Sequence, residues 1–224
     1  MINVPSTHSL ALVLILAGFT PLFAGPLSDE KILPRVQQDE LLRKLETGLK
    51  ASRTFHAAFV QEKHLSIFQD VLVSSGTLDF AAPSSMRWEI NYPFHSLLIM
   101  DGHVLSKYDF PQGKARKLNL PATEALSEVL GQITSLHQGK FSDQTKNYDI
   151  VVYSGKSVRV VLTPKSKKMR QFIPGIELGF SEQLNSVSTV LINEKDGDFT
   201  LIKFVDVKLN PEPHRELFAP EAAK

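Results

Sequence analysis

The stretch VLVSSGTLDFAAPSSMRWEINYPFHSLLIMDGHVLSKY, Val71 to Tyr108, decides the fold. It reads as four consecutive antiparallel strands separated by turn signals. Val71 to Phe80 is the first, and Ala81-Ala82-Pro83-Ser84 breaks it. In the second, Met86, Trp88, Ile90 and Tyr92 alternate with Arg87, Glu89 and Asn91. Period-two alternation places the apolar side chains on one side of a strand and the polar ones on the other, solvated side. Pro93 ends this strand. Ser96 to Met100 and His103 to Tyr108 then flank Asp101-Gly102, a pair that suits a tight hairpin because its central positions require positive φ. The centre of the chain is therefore an antiparallel sheet with one apolar face, and the functional question is what that face meets.

Outward from this centre the pattern continues. Thr54 to Phe68 precedes it as a strand, with Phe55, Ala57, Phe59 and Gln61 on one side. Arg116 to Leu120 follows it. Tyr148 to Ser154, Ser157 to Leu162, Ile176 to Phe180, Val187 to Asn193 and Phe199 to Leu209 complete about eleven strands. Gly155-Lys156 and Asp196-Gly197 supply turns. Two segments change period. Val36 to Ala51 carries Leu41, Leu42, Leu45 and Leu49 as one helical stripe, preceded by Pro34 and weakened at Gly48. Pro121 to Leu136 carries Leu126, Val129, Leu130 and Ile133 at helical spacing. Each helix needs an apolar surface to lie on, and the sheet is the available one. His137 to Lys146 reads as polar connector. The expected class is mainly β: a half-open antiparallel barrel with an amphipathic helical lid.

The chain has 224 residues, 42% of them apolar, which suits one domain. Lys and Arg number 25 against 24 Asp and Glu, so no electrostatic argument favours nucleic acid. Cysteine is absent, which excludes disulfides, a thiol nucleophile and a lipid-modified cysteine. Residues 1–24 read as a signal peptide, with Leu10 to Ala24 as its apolar core and cleavage placed after Ala24. An uncleaved anchor is the alternative, since His8 is the one basic group ahead of the core. Either route exports the rest, and the periplasm is the expected compartment. Residues 25–35 read as a flexible mature N-terminus and 36–220 as the folded domain.

Catalytic and metal chemistry find little support in the sequence. Seven histidines are present, but His56, His64, His95 and His103 fall on separate strands or turns and no metal-binding spacing links them. There is no Gly-x-Ser-x-Gly elbow and no phosphate-cradling glycine loop. No cofactor, no metal and no enzymatic activity are expected. Lys165, Lys167, Lys168 and Arg170 form a basic run, read either as a solvated loop or as a docking site for anionic headgroups or an acidic partner.

The order and spacing of several short motifs resemble the LolA family, the periplasmic carriers of outer-membrane lipoproteins. These motifs are Phe55-x-x-x-Phe59-x-Gln61, Ser75-Gly76-Thr77-Leu78, Pro83-x-x-x-Arg87-Trp88-x-Ile90, Pro93, Met100-Asp101-Gly102 and Tyr108-Asp109. Later matches are Val161 to Lys165, Gln171-Phe172, Ile202-x-Phe204, Asn210 and Phe218-x-Pro220. The resemblance implies a lidded half-open barrel whose apolar cavity takes acyl chains. It also implies an inner-membrane ABC transporter as donor, an outer-membrane lipoprotein as acceptor, and a monomer. Expected cavity residues are Phe59, Leu78, Phe80, Met86, Trp88, Ile90, Tyr92, Leu98 and Met100, with Leu41, Leu45, Leu126, Val129, Leu130 and Ile133 in the lid. From periodicity alone, the same side chains read equally as the core of a closed barrel. Ala82 stands where the family carries an Arg before proline, so the latch that the Arg provides is missing. An alternative function on this fold is a lipid-sensing or envelope-stress interaction module without transport.

Overall fold

A computed structural model describes residues 30–102, 104–118, 141–212 and 214–219. Among the described residues, twelve strands form a single antiparallel sheet that does not close. They are β1 (Lys31–Ile32), β2 (Thr54–His64), β3 (Leu72–Ala81), β4 (Ser85–Tyr92), β5 (Ser96–Asp101) and β6 (Val104–Asp109). The rest are β7 (Arg116–Leu118), β8 (Tyr148–Ser154), β9 (Val158–Pro164), β10 (Gly175–Phe180), β11 (Val187–Asn193) and β12 (Phe199–Leu209). The order across the sheet is β1-β8-β9-β10-β11-β12-β2-β3-β4-β5-β6-β7. The edge strand β1 is only two residues long, a common way to blunt an unpaired edge. The mainly β class and the open sheet agree with the sequence reading.

Helix α1 (Arg35–Lys50) lies on the inner face of the sheet, with Leu45 and Leu49 fully buried and Leu41 and Leu42 packed beside them. Its start is tied to β8 by Gln38, whose amide donates to the Leu33 carbonyl at 2.7 Å and accepts from the Val152 N–H at 3.0 Å. Its end approaches the β10–β11 turn so closely that a Cβ on Gly48 would sit 2.3 Å from the Leu184 carbonyl oxygen. Gly48 thus trades helix propensity for close packing. Asn210 takes a positive φ of 53° at the end of β12. From there its amide donates to the Ala51 carbonyl and accepts from the Arg53 N–H at 2.8 Å, joining the helix end, the start of β2 and the tail.

Several expectations are corrected. Lys31 and Ile32 pair with Ser154 and Tyr153, and Glu30 pairs with Arg159, so this part of the expected flexible start is built into the sheet edge. β2 ends at His64 rather than Phe68. The Asp101-Gly102 hairpin forms, but Asp101 itself pairs with Val104 and Gly102 takes the positive φ of 62°. The expected polar connector contains α2 (Phe141–Gln144), because Phe141 is fully buried with its ring 6.1 Å from Phe180. The basic run includes one helical turn, α3 (Lys167–Arg170), capped by the Ser166 hydroxyl accepting from the Met169 N–H. The expected helix from Pro121 to Leu136 lies outside the described residues.

Candidate functional site

The inner face is built by register. Phe204, Phe59, Gly76 and Ile90 lie in one row across β12, β2, β3 and β4. The next rows are Ala57-Leu78-Trp88-Leu98 and Phe55-Phe80-Met86-Met100. Gly76 leaves space between the Phe59 and Trp88 side chains, whose rings stand 4.3 Å apart, and Trp88 meets Phe204 edge-on at 6.4 Å. The other half of the sheet continues the face through Ile202, Val190, Leu178, Val160 and Val152. All belong to one buried apolar cluster with Leu45 and Leu49 of α1.

Of the expected cavity residues, Phe59, Leu78, Phe80, Met86, Trp88 and Leu98 are buried on this face, while Ile90 and Met100 are half-buried. Tyr92 is a correction: it is 62% exposed and faces away. The register explains it. Ile90 pairs with Gly76 but Tyr92 pairs with Ser75, so Asn91 is an extra residue and a β-bulge flips the strand end. Gly76 is required at this bulge, since a Cβ there would lie 1.8 Å from the Glu89 carbonyl oxygen. In the expected lid, Leu45 is buried and Leu41 half-buried under α1. Leu126, Val129, Leu130 and Ile133 lie outside the described residues.

At the end of this face where Ile90 sits, a groove of about 760 Å³ opens to solvent. Ser74, Ile90, Ser96 and Asp109 line its floor, and Phe94 and Phe110 stand at its margin. Moving inward from Ile90, the next row is Trp88 and Leu98. The groove therefore lies one row from the buried apolar side chains, with Ile90 as the residue next to them.

The outer face of β4 is not the solvated surface that alternation implied. Arg87 is only 9% exposed. Its guanidinium donates twice to Glu89 at 2.9 and 3.1 Å and to the Leu217 carbonyl at 3.3 Å. Glu89 also meets His95 at 2.8 Å, and the His95 ring stacks on Phe110 at 3.8 Å. Burial works against the Glu89 carboxylate, but His95 and Arg87 outweigh it and hold its pKa below the usual carboxylate value. The turn at Arg215–Phe218 lies over β4 and β5 and covers a second small core of Leu97, Ile99 and Tyr108. No sequence signal local to β4 marks this cover, because it arrives from the far end of the chain.

A smaller cavity of about 220 Å³ lies beside that tail, bordered by Thr54, His56, Asp79, Lys208 and Leu217. His56 pairs with Asp79 at 2.7 Å there. Among the described residues no three His, Asp or Glu side chains are grouped to hold a metal ion.

A one-sided apolar sheet, left unclosed, overlain by an amphipathic helix and open at one end, defines a half-open-barrel binding protein. The chain belongs to the LolA family: the family model described as outer membrane lipoprotein carrier protein LolA matches residues 50–221. It is 23% identical to an outer-membrane lipoprotein carrier protein of Nitrosomonas europaea, over 84% of this chain and 87% of that one. It is 29% identical to the protein of the same description from Vibrio parahaemolyticus, over 78% and 79% of the two chains. Among solved structures, a LolA superfamily protein from Nitrosomonas europaea superposes with a TM-score of 0.43 at 11% identity, covering 82% of this chain and 98% of that one.

Proposed function

We propose that this protein is an exported, non-catalytic carrier that holds the acyl chains of a lipoprotein, or of similar lipidated cargo, on the inner face of its sheet. The observation that carries the reading is the one-sided apolar face of an unclosed sheet, with a solvent-open groove at Ile90 one row from Trp88. An acyl chain cannot cross water unaided: burial of each methylene contributes about 0.8 kcal/mol, roughly ten for a long chain. A carrier must offer a comparable apolar surface, and the contacts need no direction. Met86 and Met100 suit such a surface because an unbranched thioether adapts its shape. Cargo would replace contacts that Phe59, Trp88 and Phe204 now make with one another. The lid is α1 with Leu41 and Leu45, together with the sequence stripe Leu126, Val129, Leu130 and Ile133. Donor and acceptor are an inner-membrane ABC transporter and an outer-membrane lipoprotein, and the carrier works in the periplasm as a monomer. With Ala82 in the family's Arg position, this lid closes through apolar contact rather than an Arg latch.

Native mass spectrometry of protein purified from periplasm without detergent tests the reading. Acylated molecules retained on the protein and recovered by lipid extraction support it. Empty protein that also fails to take up a fluorescent fatty-acyl probe would mean that the inner face is a permanently filled core.

A further inference from the structure

Five connections emerge along one rim of the sheet. Antiparallel neighbours place alternate hairpin ends on the same side, so the β9–β10, β11–β12, β2–β3, β4–β5 and β6–β7 links form one row. Hydrogen bonds join several of them. The Lys195 N–H donates to the Phe172 carbonyl at 3.1 Å, the Ser66 N–H to Asp198 at 2.7 Å, and the Phe110 N–H to the His95 carbonyl at 3.3 Å. From β9 to β6 the row spans roughly 40 Å at normal strand spacing.

This rim has an unusual surface. At its β9–β10 end, residues 164–172 hold Lys165, Lys167, Lys168 and Arg170 with no carboxylate, and Phe172 beside them is 58% exposed. Further along, Ile67 and Phe68 at the tip of the β2–β3 loop are 80% and 55% exposed, and Phe94 in the β4–β5 turn is 82% exposed. Turns on the opposite rim carry Ala82-Pro83-Ser84, Gly155-Lys156-Ser157 and Ser181 to Ser186 instead. Four large apolar side chains more than half exposed thus stand on three connections of one rim, and apolar groups gathered on one surface mark an interaction site more often than isolated ones do.

We infer that this rim docks on the surface of a bilayer containing anionic phospholipid. The basic run engages headgroup phosphates while Phe172, Ile67, Phe68 and Phe94 enter the interface between headgroups and acyl chains. Charge complementarity favours a lipid surface: cations stand at both ends of the rim, the basic run at β9–β10 and Lys114 and Arg116 at β6–β7, and Phe172, Ile67 and Phe68 project from separate turns between them. A bilayer interface accepts dispersed insertion of this kind, and each Lys near an anionic surface strengthens attachment by a modest, salt-sensitive increment. The cargo groove opens at the same rim, through Phe94 and Phe110. Docking stands apart from the cargo reading, because vesicle binding and acyl uptake are separate measurements.

The test is sedimentation with vesicles of phosphatidylcholine alone or mixed equally with phosphatidylglycerol, at low and high salt. Binding is expected to the mixed vesicles and to weaken with salt. Lys167→Gln with Lys168→Gln should lower it about 25-fold, from about fivefold per lysine. Ile67→Ser with Phe68→Ser should lower it on the mixed vesicles at both salt concentrations. Lys156→Gln on the opposite rim should leave it unchanged, and thermal melts should show all these exposed-site variants folded. No binding to mixed vesicles, or equal loss from Lys156→Gln and the rim pair, would overturn the proposal. Acyl-probe uptake without vesicle binding would overturn it while leaving the carrier reading intact.

Discussion

The two faces of β4 are both buried, and they are buried in different ways. On the inner face, Met86, Trp88 and Ile90 meet apolar side chains whose contacts have no required geometry. On the outer face, Arg87 and Glu89 are held by hydrogen bonds to each other, to His95 and to the tail. Apolar contact can be exchanged for contact with an acyl chain at little cost. A paired, half-buried charge cannot be exchanged without leaving its partner desolvated. The comparison teaches that one strand carries an apolar surface and a hydrogen-bonded one back to back, so the tail braces the sheet on the side away from the apolar inner face.

Mutations can break either side of this contrast. The largest effect is expected from Trp88→Ala, which removes the indole between Phe59 and Phe204 and should cost about 4 kcal/mol in urea unfolding. If the face is adaptable, a bound acyl ligand should restore part of that loss, because it fills the space. Arg87→Ala should cost about 3 kcal/mol by removing one of the two partners of half-buried Glu89 and the bond to the Leu217 carbonyl, and no acyl ligand should rescue it. Equal rescue of both variants would remove the distinction. Gly48→Ala should cost about 2 kcal/mol through the clash with the Leu184 carbonyl, despite alanine's better helix propensity. A gain in melting temperature instead would show that α1 is not closely seated.

The smallest effect concerns pH. Glu89 is held below its ordinary value of 4.5, so its pairing contributes stability above that pH and loses it as pH falls through the lowered folded value. Glu89→Gln should therefore lower the melting temperature at neutral pH and flatten its decline as pH falls below 4.5. A parallel decline in both proteins would show that Glu89 is not the group responsible.

Much of the adaptable face was legible from residue order. Period-two alternation places Phe59, Leu78, Trp88 and Leu98 on one side, and the register aligns them in adjacent rows. Alternation fails at Tyr92 because a bulge inserts Asn91, and a bulge is set by the partner strand's Gly76 rather than by β4 itself. Arg87 and Glu89 read as solvated because the turn that covers them lies at Arg215–Phe218, a contact no local period can announce. Phe141 was hidden for a related reason: one aromatic in a polar run carries no period, yet Phe180 receives it. Lys31 and Ile32 are too short a strand for any pattern. The groove was not legible at all, since it depends on where the rim turns leave the inner face uncovered.

Trp88 is the chain's single tryptophan, so its fluorescence reports the inner face alone. The most direct measurement is quenching of that emission by a fatty-acyl ligand brominated along its chain, set against the same ligand without bromine. If acyl chains reach the row of Leu78, Trp88 and Leu98, the brominated ligand quenches in a saturable way and the plain one does not. Emission that stays unchanged by the brominated chain, at concentrations where the ligand is bound, would contradict the placement of cargo on this face.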